Sequence, residues 1–212
     1  MRLWIRWFVV LVLLSGAALA VADSGGPPRS RTGAPSINGL VAEQDCTDCH
    51  GDFAVNLGGS LQITGAPNLY TPGVTYDITV SVASSNTAGF AGRGWGFELT
   101  AINLSDGTGA GTFANVAGQG TAIINGSNTL ATRRYIQQTA ARYHSAGPAL
   151  FQIRWTAPNP GVGAITLYAS AVAANGDGSE GGDWVYTASR AIQDTTTGIA
   201  STSWGHLKTR FR

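Results

Sequence analysis

Three stretches of this chain alternate apolar and polar residues with a period of two, and the body of the sequence carries no helical period of 3.6. Tyr76, Ile78, Val80 and Val82 are separated by Asp77, Thr79 and Ser81, with Thr75 leading. Trp95, Phe97, Leu99 and Ala101 alternate with Gly96, Glu98 and Thr100, and Phe151, Ile153 and Trp155 with Gln152, Arg154 and Thr156. Successive side chains of a strand point to opposite faces, so each stretch predicts a half-buried strand, one face in a core and one in water. The apolar run from Gly163 to Ala173 predicts a strand buried on both faces. Turn-forming clusters (Pro72-Gly73, Ser105-Asp106-Gly107, Asn159-Pro160-Gly161) punctuate the chain. Roughly six to nine strands at this spacing predict an all-β fold, an antiparallel β-sandwich. Trp95, Trp155 and Trp184 recur on these strands, where core packing accounts for them.

The only two cysteines stand in Cys46-Thr47-Asp48-Cys49-His50. A C-x-x-C-H run is the attachment signature of a c-type haem. Two thiols three apart reach two vinyl groups on one edge of a porphyrin, and the adjacent imidazole supplies the proximal iron ligand. Cys46 and Cys49 are therefore expected to carry one covalent haem c, with His50 on the iron. Three other uses of the run compete. A redox-active C-x-x-C sits at a helix start in a βαβ context, which does not follow here. A disulfide between residues three apart closes too small a loop to stabilise much. A zinc site needs further ligands nearby, and His144 and His206 are distant in sequence.

The ends of the chain bear on compartment. Arg2 and Arg6 flank the apolar run Trp7 to Leu14, and Ala18-Leu19-Ala20 or Ala20-Val21-Ala22 offers a small-residue cleavage site. Residues 1–22 are thus expected to be a bacterial signal peptide, giving a periplasmic or secreted protein, with an uncleaved anchor as the competing use. No later segment is long and apolar enough for a membrane helix. Residues 23–52 read as a Gly/Pro/Ser-rich leader with the haem-attachment segment, 53–190 as the sandwich, and 191–212 as a tail. With 12% charged residues and a net charge of +1, a nucleic-acid partner is not expected. The basic end, His206 to Arg212, reads as a solvated terminus.

Several local signatures line up in order. Thr32-Gly33-Ala34-Pro35 precedes the C-x-x-C-H run. Tyr70-Thr71-Pro72-Gly73-Val74-Thr75-Tyr76, Gly94-Trp95-Gly96-Phe97-Glu98-Leu99-Thr100 and Trp155-Thr156-Ala157-Pro158 follow. Ala174-Asn175-Gly176-Asp177-Gly178 and Gly182-Asp183-Trp184-Val185-Tyr186-Thr187 close the set. Together they resemble the bacterial Reeler-like domain family, also called choice-of-anchor V, over about residues 33–189. The resemblance implies an immunoglobulin-like sandwich in an exported protein, often with C-x-x-C-H near its start, and implies little about biochemical role. The family often carries a histidine in a Tyr-x-x-His-Thr pattern, a possible second haem ligand. This chain departs from it at Tyr135-Ile136-Gln137-Gln138-Thr139, where Gln138 takes that place.

Met1 is the only methionine, and it leaves with a signal peptide, so a His/Met iron of raised potential is not expected from this chain. The candidates for the sixth position are His144, then His206, with Lys208, water or an open site also in play. Asn175, Asp177, Glu180 and Asp183 set oxygen ligands within nine residues. They lack the spacing of an EF-hand loop, so a Gly-rich turn is expected, with calcium as the competing use. The sequence holds no G-x-S-x-G, H-E-x-x-H or phosphate-binding loop, and no catalytic residue is assigned. Two functions follow: an exported monohaem c-type cytochrome exchanging single electrons with a redox partner protein, or a non-catalytic extracellular binding or surface module in which the haem is structural, sensory or absent.

Overall fold

The computed structural model describes residues 25–85, 93–144 and 147–195, with His144 through its backbone alone. The expected signal peptide, His206 and Lys208 lie outside these residues. Eleven strands are described: β1 (Gly59–Thr64), β2 (Leu69–Tyr70), β3 (Thr75–Ser84), β4 (Arg93–Asn103), β5 (Thr112–Asn115), β6 (Thr121–Asn125), β7 (Arg134–Gln138), β8 (Arg142–His144), β9 (Ala149–Thr156), β10 (Ile165–Ala174) and β11 (Trp184–Asp194). They form two sheets, ordered β1-β3-β9-β5 and β2-β11-β10-β4-β7-β6, with β8 also pairing β4. All-β architecture with facing sheets is what the period-two stretches predict. One pair departs from the antiparallel expectation: β2 runs parallel to β11 over two residues. The last strand also runs on to Asp194, with Ile192 buried, so residues 191–194 belong to the sheet.

The core lies between the sheets. Ile78, Val80 and Val82 of β3 and Phe151, Ile153 and Trp155 of β9 face Trp95, Phe97 and Leu99 of β4, all 0–1% exposed. Size is matched across the layer, since β10 contributes Ala169, Ala171 and Ala173, leaving room for large rings. Phe97 meets Phe151 with ring centroids 4.5 Å apart. Trp155 packs with Tyr70 and Tyr76 and donates its indole N–H to Ala110 O at 2.9 Å, as a buried indole requires.

The outer face of the larger sheet is where the structure departs from the expectation of a wet face. Glu98 and Thr100 are 0% exposed. The leader covers them. From Arg29, which donates to Asn125 O on β6, the chain crosses Tyr135 on β7, Glu98 on β4 and Ser170 on β10, then reaches Thr187 on β11 through Asn56. Along the way it doubles back, Gly33 N–H donating to Gln44 O and Glu43 N–H to Ala34 O. Gly33 takes a φ of +72° there, a conformation open to glycine without strain.

This strap is fixed by a buried polar network. Glu43 and Arg133 form an ion pair at 2.6 Å with both side chains 0% exposed. Tyr135 Oη donates to the same carboxylate at 2.7 Å, Thr32 Oγ1 donates to its other oxygen, and Arg133 Nε donates to Gly107 O at 2.9 Å. Removing one partner of a buried ion pair strands the other charge. Glu98, under the same strap, accepts from Arg31 N–H, and burial pushes its carboxyl up to about 8.

Glu43→Ala should therefore destabilise the protein by about 3–5 kcal/mol, read as a fall in the urea midpoint. Glu98 binds its proton more tightly folded than unfolded, so it draws stability down as pH rises from 4.5 to about 8 and no further beyond. Glu98→Gln should raise the thermal midpoint above pH 8, by about 2–4 °C for each kcal/mol gained. That gain should vanish as pH falls to 4.5.

Candidate functional site

The strap delivers its Cys-x-x-Cys-His run as a single 3-10 turn, Cys46–Asp48. Asp45 starts it, its Oδ1 accepting from Thr47 N–H at 2.8 Å, a local N-cap that an aspartate supplies readily. His50 N–H closes the turn on Cys46 O at 3.0 Å. Cys46 N–H donates to Ser170 Oγ at 3.1 Å, which pins the turn to β10. Cys46 is consequently buried, Cys49 is exposed, and the two are unbridged.

His50 is held from the other side. Its Nδ1 lies 2.7 Å from Asp183 Oδ2, a carboxylate whose side chain is 0% exposed. The second oxygen of Asp183 accepts from Asn175 N–H at 2.7 Å. A carboxylate only accepts, so His50 donates its Nδ1–H to Asp183, and Nε2 is the ring nitrogen left outside this contact. Asp183 lies just before β11, at the end of the loop that also carries Asp177 and Glu180.

Cys46, Cys49 and His50 line one wall of a cavity of about 300 Å³. Its floor is the outer face of the larger sheet where Gly94 and Gly96 of β4 stand beside Ala174 and Val172 of β10. Two glycines, an alanine and a valine make a low surface nearly free of side chains. Gln138 and Tyr143 close the opposite wall. A Cβ on Gly96 would come within 2.5 Å of the Gln138 amide nitrogen, and one on Gly94 within 3.3 Å of the Tyr143 ring.

Gln138 has a second task. β4 pairs with β7 at residues 98–100 and with β8 at 93–95, which leaves a gap between the two partners. Gln138 Oε1 fills it, accepting from Phe97 N–H at 2.6 Å. The backbone of β8 ends at His144, paired with Arg93, one residue from Tyr143 on the cavity wall.

The electrostatics separate the competing uses of the cysteines. Burial pushes the Cys46 thiol up to about 12, with the Glu98 and Asp45 carboxylates adding to the effect. Cys49, though exposed, is raised as well, by partial desolvation, Glu180 and Asp48, with the Arg31 guanidinium opposing them. A redox-active dithiol needs a thiolate favoured by positive neighbours, and these surroundings do the reverse. Among the described residues no group of three or more His, Cys, Asp and Glu side chains is arranged to hold a metal ion. The loop weighed for calcium is organised by its own hydrogen bonds. Asp177 accepts from Ser179 N–H and Oγ at 2.8 Å, and Asp183 turns inward to His50. The sequence offers Asp183 as a turn residue or a calcium ligand, not as a partner of His50. Its role depends on a contact across 133 positions, for which the sequence carries no periodic signal.

No protein-family model matches the chain, and no curated protein matches it. Among solved structures it is similar to the reeler domain of human F-spondin, with 21% identity and a TM-score of 0.46, over 67% of this chain and 91% of that one. The Reelin-N domain of F-spondin is similar at 20% identity and a TM-score of 0.46, over 70% and 96%. A cohesin module from a Clostridium perfringens family 33 glycoside hydrolase is similar at 9% identity and a TM-score of 0.40, over 64% and 96%. No helix among the described residues is long and apolar enough to cross a membrane.

Gly96→Ala should expel the Gln138 amide and leave Phe97 N–H without its acceptor, at a cost of about 1–3 kcal/mol. Gln138→Ala should cost the same. Because both remove one interaction, the double variant should cost little more than either alone in a denaturation cycle.

Proposed function

We propose that this protein is an exported monohaem c-type cytochrome that exchanges single electrons with a partner protein. Cys46 and Cys49 would hold the haem through thioether bonds, and His50 would ligate the iron through Nε2. The group supplies a one-electron iron couple. The chain's own residues bind, orient and partly shield it.

The observation that carries this reading is the pairing of a C-x-x-C-H turn with a side-chain-poor floor inside one cavity. A flat macrocycle tethered along one edge needs a low surface to lie against, and Val172 and Ala174 supply one beside Gly94 and Gly96, which carry the Tyr143 ring and the Gln138 amide. The donor set agrees: two thiols on a short turn and one imidazole whose Nδ1 is already occupied, leaving Nε2 for a metal. At about 300 Å³ the cavity is at the small end of the roughly 300–1,000 Å³ usual for small-molecule sites. A haem would therefore be sheltered on its attached edge and exposed on the other, which suits electron exchange with a docked partner. Export is supported by the basic and apolar pattern of residues 1–22, the compartment in which such attachment takes place.

A second reading, a non-catalytic extracellular binding module, draws on the same floor. A low apolar platform between two walls also receives a flat ligand without covalent attachment.

Protein made with a c-type maturation system should show a thioether-type pyridine haemochrome band and the added mass of one haem. Cys46→Ala with Cys49→Ala should abolish both. Absence of haem from the parent protein, with the fold intact, would sink the cytochrome and leave the binding module.

A further inference from the structure

The geometry points to Asp183 as the positioning residue of this site: its buried carboxylate fixes the tautomer and ring plane of His50 and, when haem is attached, holds the iron potential low. The inference rests on the haem reading for its second half only. Its first half concerns the protein as it stands.

Three observations meet at Asp183. The carboxylate is fully buried and contacts the imidazole at 2.7 Å. Its other oxygen is occupied by Asn175 N–H at 2.7 Å, so the carboxylate cannot rotate away without stranding a backbone donor. The imidazole, in turn, belongs to a turn pinned at its start by Asp45 and by the Cys46–Ser170 hydrogen bond. Both partners are thus held by groups outside the pair, His50 on the strap and Asp183 in the loop between β10 and β11. A surface ion pair between mobile side chains would have none of these restraints.

The chemical consequence follows from charge. An imidazole whose Nδ1–H is donated to an anion gains electron density on the ring and becomes a stronger donor at Nε2. Stronger donation favours the more highly charged ferric state over the ferrous state, which lowers the potential. Two further features of the chain act in the same direction: the absence of any methionine beyond Met1, and the carboxylates of Asp45 and Glu180 around the cavity, where the charge of Asp48 is paired with Arg31.

Asparagine at this position dissects the role. In Asp183→Asn the amide oxygen satisfies either His50 or Asn175 N–H, and the amide nitrogen, a donor, then faces the other. If the nitrogen faces His50, Nδ1 becomes an acceptor and the proton moves to Nε2, the wrong tautomer for ligation. If it faces Asn175, two donors oppose each other and the loop shifts. Either way the negative charge is gone. Asp183→Glu keeps the charge and tests placement.

The experiment has two readouts. On the haem-free full chain, nitrogen-15 NMR of the histidine ring should show His50 of the parent protein as the Nδ1–H tautomer. Asp183→Asn should lose that tautomer, and Asp183→Glu should recover it at least in part. On haem-loaded protein, the midpoint potential should rise in Asp183→Asn and return toward the parent value in Asp183→Glu. A merely structural tie would lower the thermal midpoint of the variants while leaving the potential unmoved. That result, or an Nε2–H tautomer in the parent, overturns the proposal. Should Asp183→Asn fail to fold, the parent tautomer decides. Should the parent carry no haem, the cytochrome reading fails by itself, and the tautomer still tests whether Asp183 orders His50.

Discussion

The Glu43–Arg133 ion pair is the interaction on which the arrangement of the site depends. Both charges are out of water: Thr32 and Tyr135 donate to the carboxylate, and the guanidinium donates to Glu43 and to Gly107 O, its Nη2 having no hydrogen-bond partner among the described residues. Such a cluster adds little net stability relative to a well-packed apolar one. What it provides is a unique register. Thr32 and Glu43 lie on the two arms of the doubled-back strap, Arg133 just before β7 and Tyr135 within it, so only one placement of the strap satisfies all four. That placement brings Cys46 to Ser170 and His50 to Asp183. A greasy interface would slide; this one has fixed points.

The sheet beneath is specialised in a complementary way. Its inner face is a conventional aromatic and aliphatic core. Its outer face changes character along β4, from Thr100 and Glu98 under the strap to Gly96 and Gly94 under the cavity. Glu98 accepts a hydrogen bond from the covering chain, Thr100 donates to Arg134 O on β7, and the glycines admit the Gln138 amide and the Tyr143 ring. The site is thus shared between two layers: the strap brings the thiols and the imidazole, and the sheet brings the floor, the carboxylate and the opposing wall.

How much of this was legible in the sequence differs by layer. The inner faces were, because burial of one side of a strand imposes a period of two: Ile78, Val80 and Val82, or Phe151, Ile153 and Trp155, announce themselves. The burial of β10 was also legible in its largely apolar run, although Tyr168, Val172 and Ala174 on its outer face are only half-buried. The burial of Glu98 and Thr100 was not, since they sit at the polar positions of a stretch whose pattern is that of a wet face. Polar interfaces leave no periodic trace. The strap read as an extended leader because its Gly, Pro and Ser content hides a fold set by distant partners. The C-x-x-C-H run was legible by spacing alone, whereas Asp183 was not, being 133 positions from His50. Gln138 was noticed only for the residue that it replaces, and its service to Phe97 N–H depends on a gap between two strands that the sequence does not mark.

That gap has a meaning beyond local repair. An edge in the middle of a sheet, where a strand loses its neighbour for two residues, is a place where a protein forgoes backbone pairing it would otherwise have. Here the forgone pairing lies along the cavity, and a side-chain amide stands in for the missing acceptor. The sandwich has therefore given up continuity in its own ladder to make a recess on its outer face. Folds tuned for stability alone close such notches, and this one lies open beside the Cys46–Asp48 turn, at a cost in cohesion to the sheet.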